Sequence, residues 1–230
     1  MSITTLFCDN WEFVKTPFGT EYSDALSWKR TDIPHDWLIH DTKALYETST
    51  GWYRRKLDHT PDDNIIALRF EGVYMDTKVY VNNKFAGEWK YGYSTFEIVI
   101  SHLLHKGENL IAVKVDHHEP NTRWYSGAGI FRPVYLKSYP KTRIVPDGIY
   151  ISADMYGDMT ITTEVERPEG TVLNGISLRH TVLLDGNEVA QTEKACRAWA
   201  LVNLVFFLHL DSQRQICRNG RTVGRSSRSA

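Results

Sequence analysis

The sequence predicts an all-β protein whose first part is a two-sheet sandwich. Short runs of strand-forming residues are separated by turn residues, and almost no stretch carries apolar residues at helical spacing. Val79 and Val81 alternate with Lys78 and Tyr80, as in a strand that turns one face to a core. The strand candidates of this part are residues 65–73, 77–87, 94–100 and 109–116.

Local turn signals set the connections between these strands. Asn82-Asn83 predicts a hairpin turn, because asparagine tolerates the positive φ that tight hairpins require. The run HLLHKGEN, residues 102–109, predicts a short helix or helical turn that Gly107 ends before the next strand.

A second unit is predicted from residue 139, where YPKTRIVPDG combines two prolines and a glycine as a linker does. IYISADM, MTITTEVE and residues 177–194 then alternate, and Asp185-Gly186 predicts a hairpin turn in the last run. These strands resemble half of an immunoglobulin-like sandwich, which normally needs about 100 residues and seven strands. Because strand patterning stops near Lys194, residues 139–194 are predicted to form a partial immunoglobulin-like domain.

Residues 195–230 differ in composition from the rest of the chain. They contain six arginines and one acidic residue, but no lysine, glutamate or tyrosine. One interpretation is a basic tail that binds an acidic partner. The interpretation that we favour is out-of-frame translation beyond Lys194, because the change falls in mid-domain. The tail is therefore predicted to be disordered or out of frame.

Charge and hydrophobicity narrow the function classes. A formal net charge of -1 offers no basic field for phosphate backbones, so no nucleic-acid partner is predicted. No run approaches the roughly 20 apolar residues of a spanning helix, and the start MSITTLFCDNWEF lacks the features of a signal peptide. We expect no membrane partner and a cytoplasmic location. Cys8, Cys196 and Cys217 are odd in number and scattered, which predicts free thiols.

The run WYSGAGIFRPVYL, residues 124–136, is the most unusual loop candidate. Gly127 and Gly129 permit backbone angles closed to other residues, so the chain can turn sharply there while Trp124 and Tyr125 are held in place. Arg132 is expected in a mostly buried segment, where carboxylate or carbonyl partners would make it a structural anchor rather than a ligand contact.

Seven motifs follow one another between residues 9 and 136: DNWEF, IPHDW, TGWYRRKL, RFEGVYMDTKVYVN, GYSTFE, GENLIAVKVD and RWYSGAGIFRPVYL. Together they resemble the N-terminal part of glycoside hydrolase family 2 enzymes of the β-galactosidase type. Each motif alone is weak, but their common order and spacing are specific. The unit after Tyr139 is similar to the second, immunoglobulin-like domain of that family.

The resemblance implies a galactose-binding-like jelly roll in residues 1–138, the immunoglobulin-like domain and, further along the intact enzyme, a catalytic TIM barrel. Retaining glycosidases need two carboxyl groups about 5 to 5.5 Å apart, and in this family both are glutamates of the barrel. For this chain the resemblance therefore implies no catalytic residue, no cofactor and no activity in isolation. The carbohydrate partner, a β-galactoside or related β-glycoside, would be held mainly by the barrel, and homo-oligomerisation of the intact enzyme is left open.

In the family, loops of the jelly roll also reach the edge of the active site. The matching stretches here are residues 47–50 and 120–123, in which Thr48, Asn121 and Arg123 are the candidates for hydrogen bonds to sugar hydroxyls. Asparagine is frequent in the family at the position of Thr48, and an acidic residue sometimes stands at that of Asn121. The alternative is that these side chains only cap and tie their loops.

Two other pairings suggest metal ligands, His35-Asp36 and the run His117-His118-Glu119. No metal site is predicted at either, because adjacent residues on a strand point to opposite faces. The tryptophans could stack on sugars. We expect at least four of Trp11, Trp28, Trp37, Trp52, Trp89 and Trp124 to fill the core instead.

The sequence thus predicts a fragment of a glycoside hydrolase that carries the substrate-edge domain only. Two alternatives from other classes remain. A freestanding carbohydrate-binding module would show measurable sugar affinity by itself, whereas a fragment should bind weakly because most of the pocket lies elsewhere. A structural sandwich without sugar contact would turn the Asn121 and Arg123 loop inward.

Overall fold

The computed structural model of the chain describes residues 2–39, 43–154, 158–167, 176–195 and 204–209. The chain divides into two compact units, Met1–Pro140 and Lys141–Ala230. Both consist of β-strands, which confirms the predicted all-β class. Among the described residues, none belongs to a helix with the length and apolar character needed to span a bilayer.

Ten strands and one turn of 3-10 helix are described in the first unit. The strands are β1 (Ile3–Leu6), β2 (Trp11–Pro17), β3 (Lys29–Thr31), β4 (Ser49–His59), β5 (Ile65–Phe70), β6 (Thr77–Val81), β7 (Lys84–Trp89), β8 (Phe96–Val99), β9 (Gly107–His117) and β10 (Val134–Tyr139).

These strands form two antiparallel sheets. One sheet has four strands in the order β1-β10-β5-β8, and the other has six in the order β3-β2-β4-β9-β6-β7. The first strand pairs with the last, since Ile3 lies opposite Ser138 and Leu6 opposite Tyr135. The central pair of the larger sheet is β4 and β9, which stay in register from Ser49 opposite His117 to His59 opposite Gly107.

The core lies between the inner faces of the two sheets, as in a sandwich. Alternation along β9 shows why: Ile111, Val113 and Val115 are fully buried in the main cluster, which also holds Leu68 and Phe70 of β5. The outer face of the six-stranded sheet carries a small second cluster centred on the buried ring of Trp52. β4 and β9 therefore bury side chains on both faces, so their sequences do not alternate strictly between apolar and polar residues.

The local turn predictions are confirmed in part. Asn82 and Asn83 join β6 to β7 with φ of 51° and 63°, as a tight hairpin requires. The predicted helical segment contains one 3-10 turn, Ser101–Leu103, and the next strand already begins at Gly107, whose φ is 90°. No residue of that turn is fully buried, and Leu103 is only partly buried against the core, so the turn gains too little packing to extend.

Five strands are described in the second unit: β11 (Arg143–Ala153), β12 (Asp158–Glu166), β13 (Ser177–Leu184), β14 (Asn187–Ala195) and β15 (Leu204–His209). They form a sheet in the order β11-β12-β15 and a hairpin of β13 with β14. The predicted turn at Asp185-Gly186 joins that hairpin with φ of 51° and 81°. Thr163 of β12 and His180 of β13 share a 2.8 Å hydrogen bond between the two sheets.

The domain assignment stays a prediction. Within the atypical segment 195–230, Leu204–His209 form β15 and pair with β12, with Leu204 opposite Thr163. The segments 196–203 and 210–230 lie outside the described residues, and so do Cys196 and Cys217. Cys8 is buried as a free thiol.

Candidate functional site

Two loops predicted to contact sugar meet at one end of the sandwich. The backbone N–H of Glu119 donates to the Thr48 hydroxyl at 2.9 Å, and the His117 Nδ1–H donates to the carbonyl of Glu47 at 2.8 Å. The strand pair β4 and β9 places them side by side, because Ser49 and His117 are partners where both strands reach this end. Residues 47–50 and 117–123 therefore form one continuous edge, which we call the paired-loop edge.

His117 is the fixed point of this edge, because its side chain is fully buried. A carbonyl oxygen can only accept, so the contact with Glu47 assigns the proton to Nδ1 in the neutral ring. The Nε2 atom then accepts, and the Asn121 amide at 3.2 Å and the Ser126 hydroxyl at 3.3 Å are positioned to donate to it. One buried imidazole thus orients both loops.

The three predicted sugar-binding residues take different positions on the paired-loop edge. Asn121 turns inward, where its amide nitrogen also donates to the His118 carbonyl at 2.7 Å and its Oδ1 is buried without a hydrogen-bond partner among the described residues. Thr48 and Arg123 are exposed. Arg123 forms no ion pair or hydrogen bond with the described part of the chain, so its guanidinium group is available to a ligand.

The loop of residues 124–130 is tied to the segment His35-Asp36-Trp37 by hydrogen bonds. Asp36 Oδ1 accepts from the backbone N–H of Ala128 at 3.1 Å, and Asp36 Oδ2 accepts from the Tyr125 hydroxyl at 2.5 Å. Burial, followed by this bond to Asp36, raises the pKa of Tyr125 well above its ordinary value, so the phenol stays protonated and donates. Tyr125 is held as predicted, whereas Trp124, which was expected to be held with it, is exposed.

Both glycines of this loop have positive φ, 75° at Gly127 and 120° at Gly129. A Cβ atom at Gly127 would lie 2.9 Å from Asp36 Oδ2. A Cβ at Gly129 would collide with the Tyr53 hydroxyl and lie 2.6 Å from the His35 carbonyl oxygen. The glycines are thus required both by backbone angle and by close packing.

Arg132 differs from the expectation of a mostly buried segment. It is exposed and lies two residues before β10, which begins at Val134. Its Nη1 donates to the Glu71 carbonyl at 3.5 Å, and its guanidinium carbon lies 5.3 Å from the centre of the Phe131 ring. Both contacts of Arg132 are with the protein itself, as expected of a structural residue, but their distances are long.

The two pairings considered as metal ligands have other partners. His35 Nδ1 lies 2.8 Å from the Tyr53 hydroxyl, and Asp36 holds the glycine loop. His117 is buried, whereas the side chain of His118 is 42% exposed and contacts Asp76 at 3.1 Å. Within the described residues, no group of three or more histidine, cysteine or acidic side chains could hold a metal ion.

The tryptophans divide between core and surface. Trp11, Trp37 and Trp52 are buried, and Trp28 packs partly buried against the outer cluster. Trp89 and Trp124 are 40% and 63% exposed. Trp124 directly follows Arg123, and an exposed indole next to free hydrogen-bond donors is suited to stacking on a sugar ring.

Two residues that organise this end were considered in the sequence only as metal ligands. His117 follows Ile111, Val113 and Val115 at a spacing of two, so the strand period alone places it on the inner face. Asp36 carries no such periodic signal, since its partners Tyr125 and Ala128 are some 90 residues away, at separations of 89 and 92. Only the folded chain brings them together.

Comparison with known families decides what this sandwich is. Residues 20–140 match the model of the sugar binding domain of the glycosyl hydrolases of family 2. The chain belongs to glycosyl hydrolase family 2. The chain is 30% identical over 197 residues to the β-galactosidase BoGH2A of Bacteroides ovatus, covering 78% of this chain and 23% of that enzyme.

Two further relatives of this family 2 chain carry different activities in their names. A β-galactosidase of Thermoanaerobacter pseudethanolicus is 35% identical over 199 residues, which cover 77% of this chain and 26% of the enzyme. A β-glucuronidase of Bacteroides fragilis is 30% identical over 142 residues, which cover 54% of this chain and 20% of the enzyme. The chain thus spans about a quarter or less of the length of these relatives.

Solved structures show the same fold. The crystal structure of Bacteroides uniformis β-glucuronidase superposes with a TM-score of 0.74 at 24% identity, over 90% of this chain and 27% of that one. A β-glycosidase from Bacteroides vulgatus gives a TM-score of 0.71 at 27% identity, over 90% of this chain and 29% of that one.

Proposed function

We propose that this chain is the sugar-binding, substrate-edge part of a family 2 glycosidase that cleaves β-galactosides, β-glucuronides or related β-glycosides. The observation that carries the proposal is the paired-loop edge, where a buried histidine holds two loops together and leaves Thr48, Arg123 and Trp124 exposed. The names of the relatives, β-galactosidase and β-glucuronidase, support the substrate class.

The exposed groups offer the contacts that a sugar needs. The Thr48 oxygen already accepts the Glu119 N–H, so its own O–H is free to donate to a sugar oxygen. Arg123 supplies up to five N–H donors, which suit hydroxyl groups or the carboxylate of a uronic acid. The Trp124 ring offers an apolar face to the C–H groups of a pyranose.

Bond cleavage itself is assigned to another part of the enzyme. A retaining glycosidase places a nucleophile and an acid/base carboxyl group about 5 to 5.5 Å apart, and neither role is proposed for a residue of this chain. We therefore expect the 230-residue chain to hydrolyse neither nitrophenyl β-galactoside nor nitrophenyl β-glucuronide above background. Turnover that persists through repeated purification from a host lacking both activities would contradict this assignment.

Sugar contact is tested by NMR titration of the labelled chain with methyl β-galactoside and methyl β-glucuronide. We expect weak binding with chemical-shift changes at Thr48, Arg123 and Trp124. Arg123→Ala should weaken binding about three- to tenfold, with the larger loss for the glucuronide if its carboxylate pairs with the guanidinium. Arg30→Ala serves as the control, because Arg30 is an exposed arginine of β3 bonded to Asn10. Saturable shifts that avoid both loops would refute the proposed edge.

A further inference from the structure

A polar pocket lies beside the paired-loop edge. It lies at the hairpin of β6 and β7, which is the border of the six-stranded sheet, and has a volume of about 270 Å³. Its walls include Phe18, Lys78, Glu88, Lys90 and His118. This volume lies just below the roughly 300 to 1,000 Å³ of drug-sized ligand sites, so the hairpin pocket suits a smaller group, such as a single sugar ring.

Three charged side chains of the hairpin pocket are available to a ligand. Lys78, Glu88 and Lys90 form no hydrogen bond or ion pair with any residue that the structure describes. The larger cleft of about 510 Å³ along β2 and β4 is different. There Arg54 pairs with Glu12 and Asp24, although Nη1 of the neighbouring Arg55 is buried without a hydrogen-bond partner among the described residues. Lys56 pairs with Glu108, so most charged groups of that cleft are already engaged in ion pairs.

One wall of the hairpin pocket is an aromatic ring in a fixed orientation. The Phe18 side chain is 47% exposed, and its ring packs against His118 with 4.7 Å between centroids at 60°. His118 Nε2 in turn lies 3.1 Å from Asp76 Oδ2, which fixes the imidazole. An exposed aromatic face next to ammonium and carboxylate groups matches a pyranose, which has an apolar C–H face and a rim of hydroxyls.

The balance of charge favours a neutral sugar. The ammonium groups of Lys78 and Lys90 are opposed by the carboxylates of Glu88 and Asp76, and Asp116, which also lines the pocket, pairs with Lys114. Such a mixed set supplies both donors and acceptors to hydroxyl groups, but no net positive field to attract an anion.

We propose that the hairpin pocket is a subsite for one neutral hexose unit of an oligosaccharide whose cleaved end lies at the paired-loop edge. His118 connects the two places, since its ring lines the pocket while its backbone carbonyl accepts the Asn121 amide. The inference rests on the proposed function and narrows it, because the natural substrate is then an oligosaccharide or polysaccharide rather than a simple glycoside.

The test compares β-1,4-galactotetraose with methyl β-galactoside in NMR titrations of the 230-residue chain. We expect the tetrasaccharide to bind about three- to tenfold more tightly and to shift the signals of Lys78 and Glu88, which the monosaccharide glycoside leaves unchanged. Phe18→Ala should abolish the difference between the two sugars. Phe85→Ala is the matched control, since Phe85 is a 52% exposed phenylalanine of the same hairpin that does not line the pocket.

The outcomes separate the subsite from the proposed function. Shifts at Thr48 and Arg123 with equal affinity for both sugars would overturn the subsite and leave the substrate-edge function in place. An affinity difference that survives Phe18→Ala would also overturn the subsite. The absence of chemical-shift changes at both the paired-loop edge and the hairpin pocket would refute the function and the subsite together. Joint shifts of loops and hairpin, lost from the hairpin in Phe18→Ala, would support the proposal.

Discussion

At the scale of single residues, the glycine loop shows how a backbone angle and a contact combine. Gly127 has a φ of 75°, and a Cβ atom there would lie 2.9 Å from an Asp36 carboxylate oxygen that the Tyr125 hydroxyl needs. Gly19 has nearly the same φ, 79°, but open space around the position of a Cβ. The two glycines therefore separate the cost of the angle from the cost of the contact.

Gly127→Val should lower the free energy of unfolding of the first unit by about 1 to 3 kcal/mol. Gly19→Val should cost less, because it introduces the backbone strain without the contact with Asp36. Urea denaturation followed by tryptophan fluorescence measures both. Equal losses in the two variants would show that the Asp36 contact adds nothing, and an unchanged midpoint for Gly127→Val would show that the loop is slack.

Glu71 offers a residue-scale prediction of pH dependence. A hydrogen bond from Arg69 at 2.8 Å, with a second from Thr95 at 2.9 Å, lowers the pKa of the Glu71 carboxyl below its ordinary 4.5. Since the folded-state pKa is depressed, the ionised group stabilises the fold above pH 4.5, and this stabilisation is lost as pH falls through the folded-state pKa.

Glu71→Gln should therefore flatten the decline of stability on the acid side, with the two proteins becoming more alike as pH falls further below 4.5. The measurement is urea unfolding across a pH series on both proteins. A constant difference between wild type and variant at every pH would mean that ionisation of Glu71 is not involved.

At the scale of elements, the hairpin turn of β6 and β7 contains two asparagines with separate roles. Both have positive φ, but only Asn82 is built into the sandwich. Its amide donates to the Leu103 carbonyl at 3.1 Å and to Asn109 at 2.8 Å, and its oxygen accepts from the Leu110 N–H at 2.9 Å. Asn83 is exposed.

Asn82→Gly should destabilise the fold by about 1 to 3 kcal/mol, because it leaves partly buried partners without hydrogen bonds. Asn83→Gly should change stability by no more than about 0.5 kcal/mol, since glycine adopts the same angle freely. Thermal unfolding of the pair checks this. A loss at Asn83 as large as that at Asn82 would show that turn conformation, rather than the hydrogen bonds, sets the stability.

Strand period was the part of the fold that the sequence predicted well. Alternating residues in β6 and β9 and turn residues such as Asn82 and Gly186 act locally, so they can be recognised without the folded chain. The inward turn of Asn121 could not be predicted, because it depends on His117 and on the carbonyl of His118 in a loop without a period. That the side chains of Lys78 and Glu88 form no ion pair with a described residue could not be predicted either, because ion pairing also depends on contacts made only in the folded chain.

At the scale of the whole molecule, the two units differ in how well they bury apolar side chains. The first unit holds a continuous core of both sheets. In the second unit Ile149, Tyr150 and Ile151 of β11 are 49%, 68% and 57% exposed, and among residues 141–154, 159–167, 176–193 and 195 only Ile161 and Thr163 are buried. Burial of about 25 cal/mol per Å² is what offsets the ordering entropy, so a thinly buried unit is weakly stabilised.

We therefore predict that limited proteolysis of the chain cuts first after residue 139 and leaves a fragment close to residues 1–138. Mass spectrometry of the time course identifies the sites, and the surviving fragment should unfold cooperatively. Equal resistance of residues 140–230 would mean that the second unit is a complete domain, and the interpretation of residues 195–230 as out of frame would then be abandoned.

The pairing of β1 with β10 has a further consequence for the first unit. Because Ile3 lies opposite Ser138, the two ends of this sandwich leave it side by side. A sandwich with neighbouring ends can be inserted into a loop of a host protein, or opened elsewhere and rejoined by a short linker, without stretching its backbone. A circular permutant that links residue 138 to residue 3 and opens at the exposed Asn83 turn should therefore keep the paired-loop edge intact.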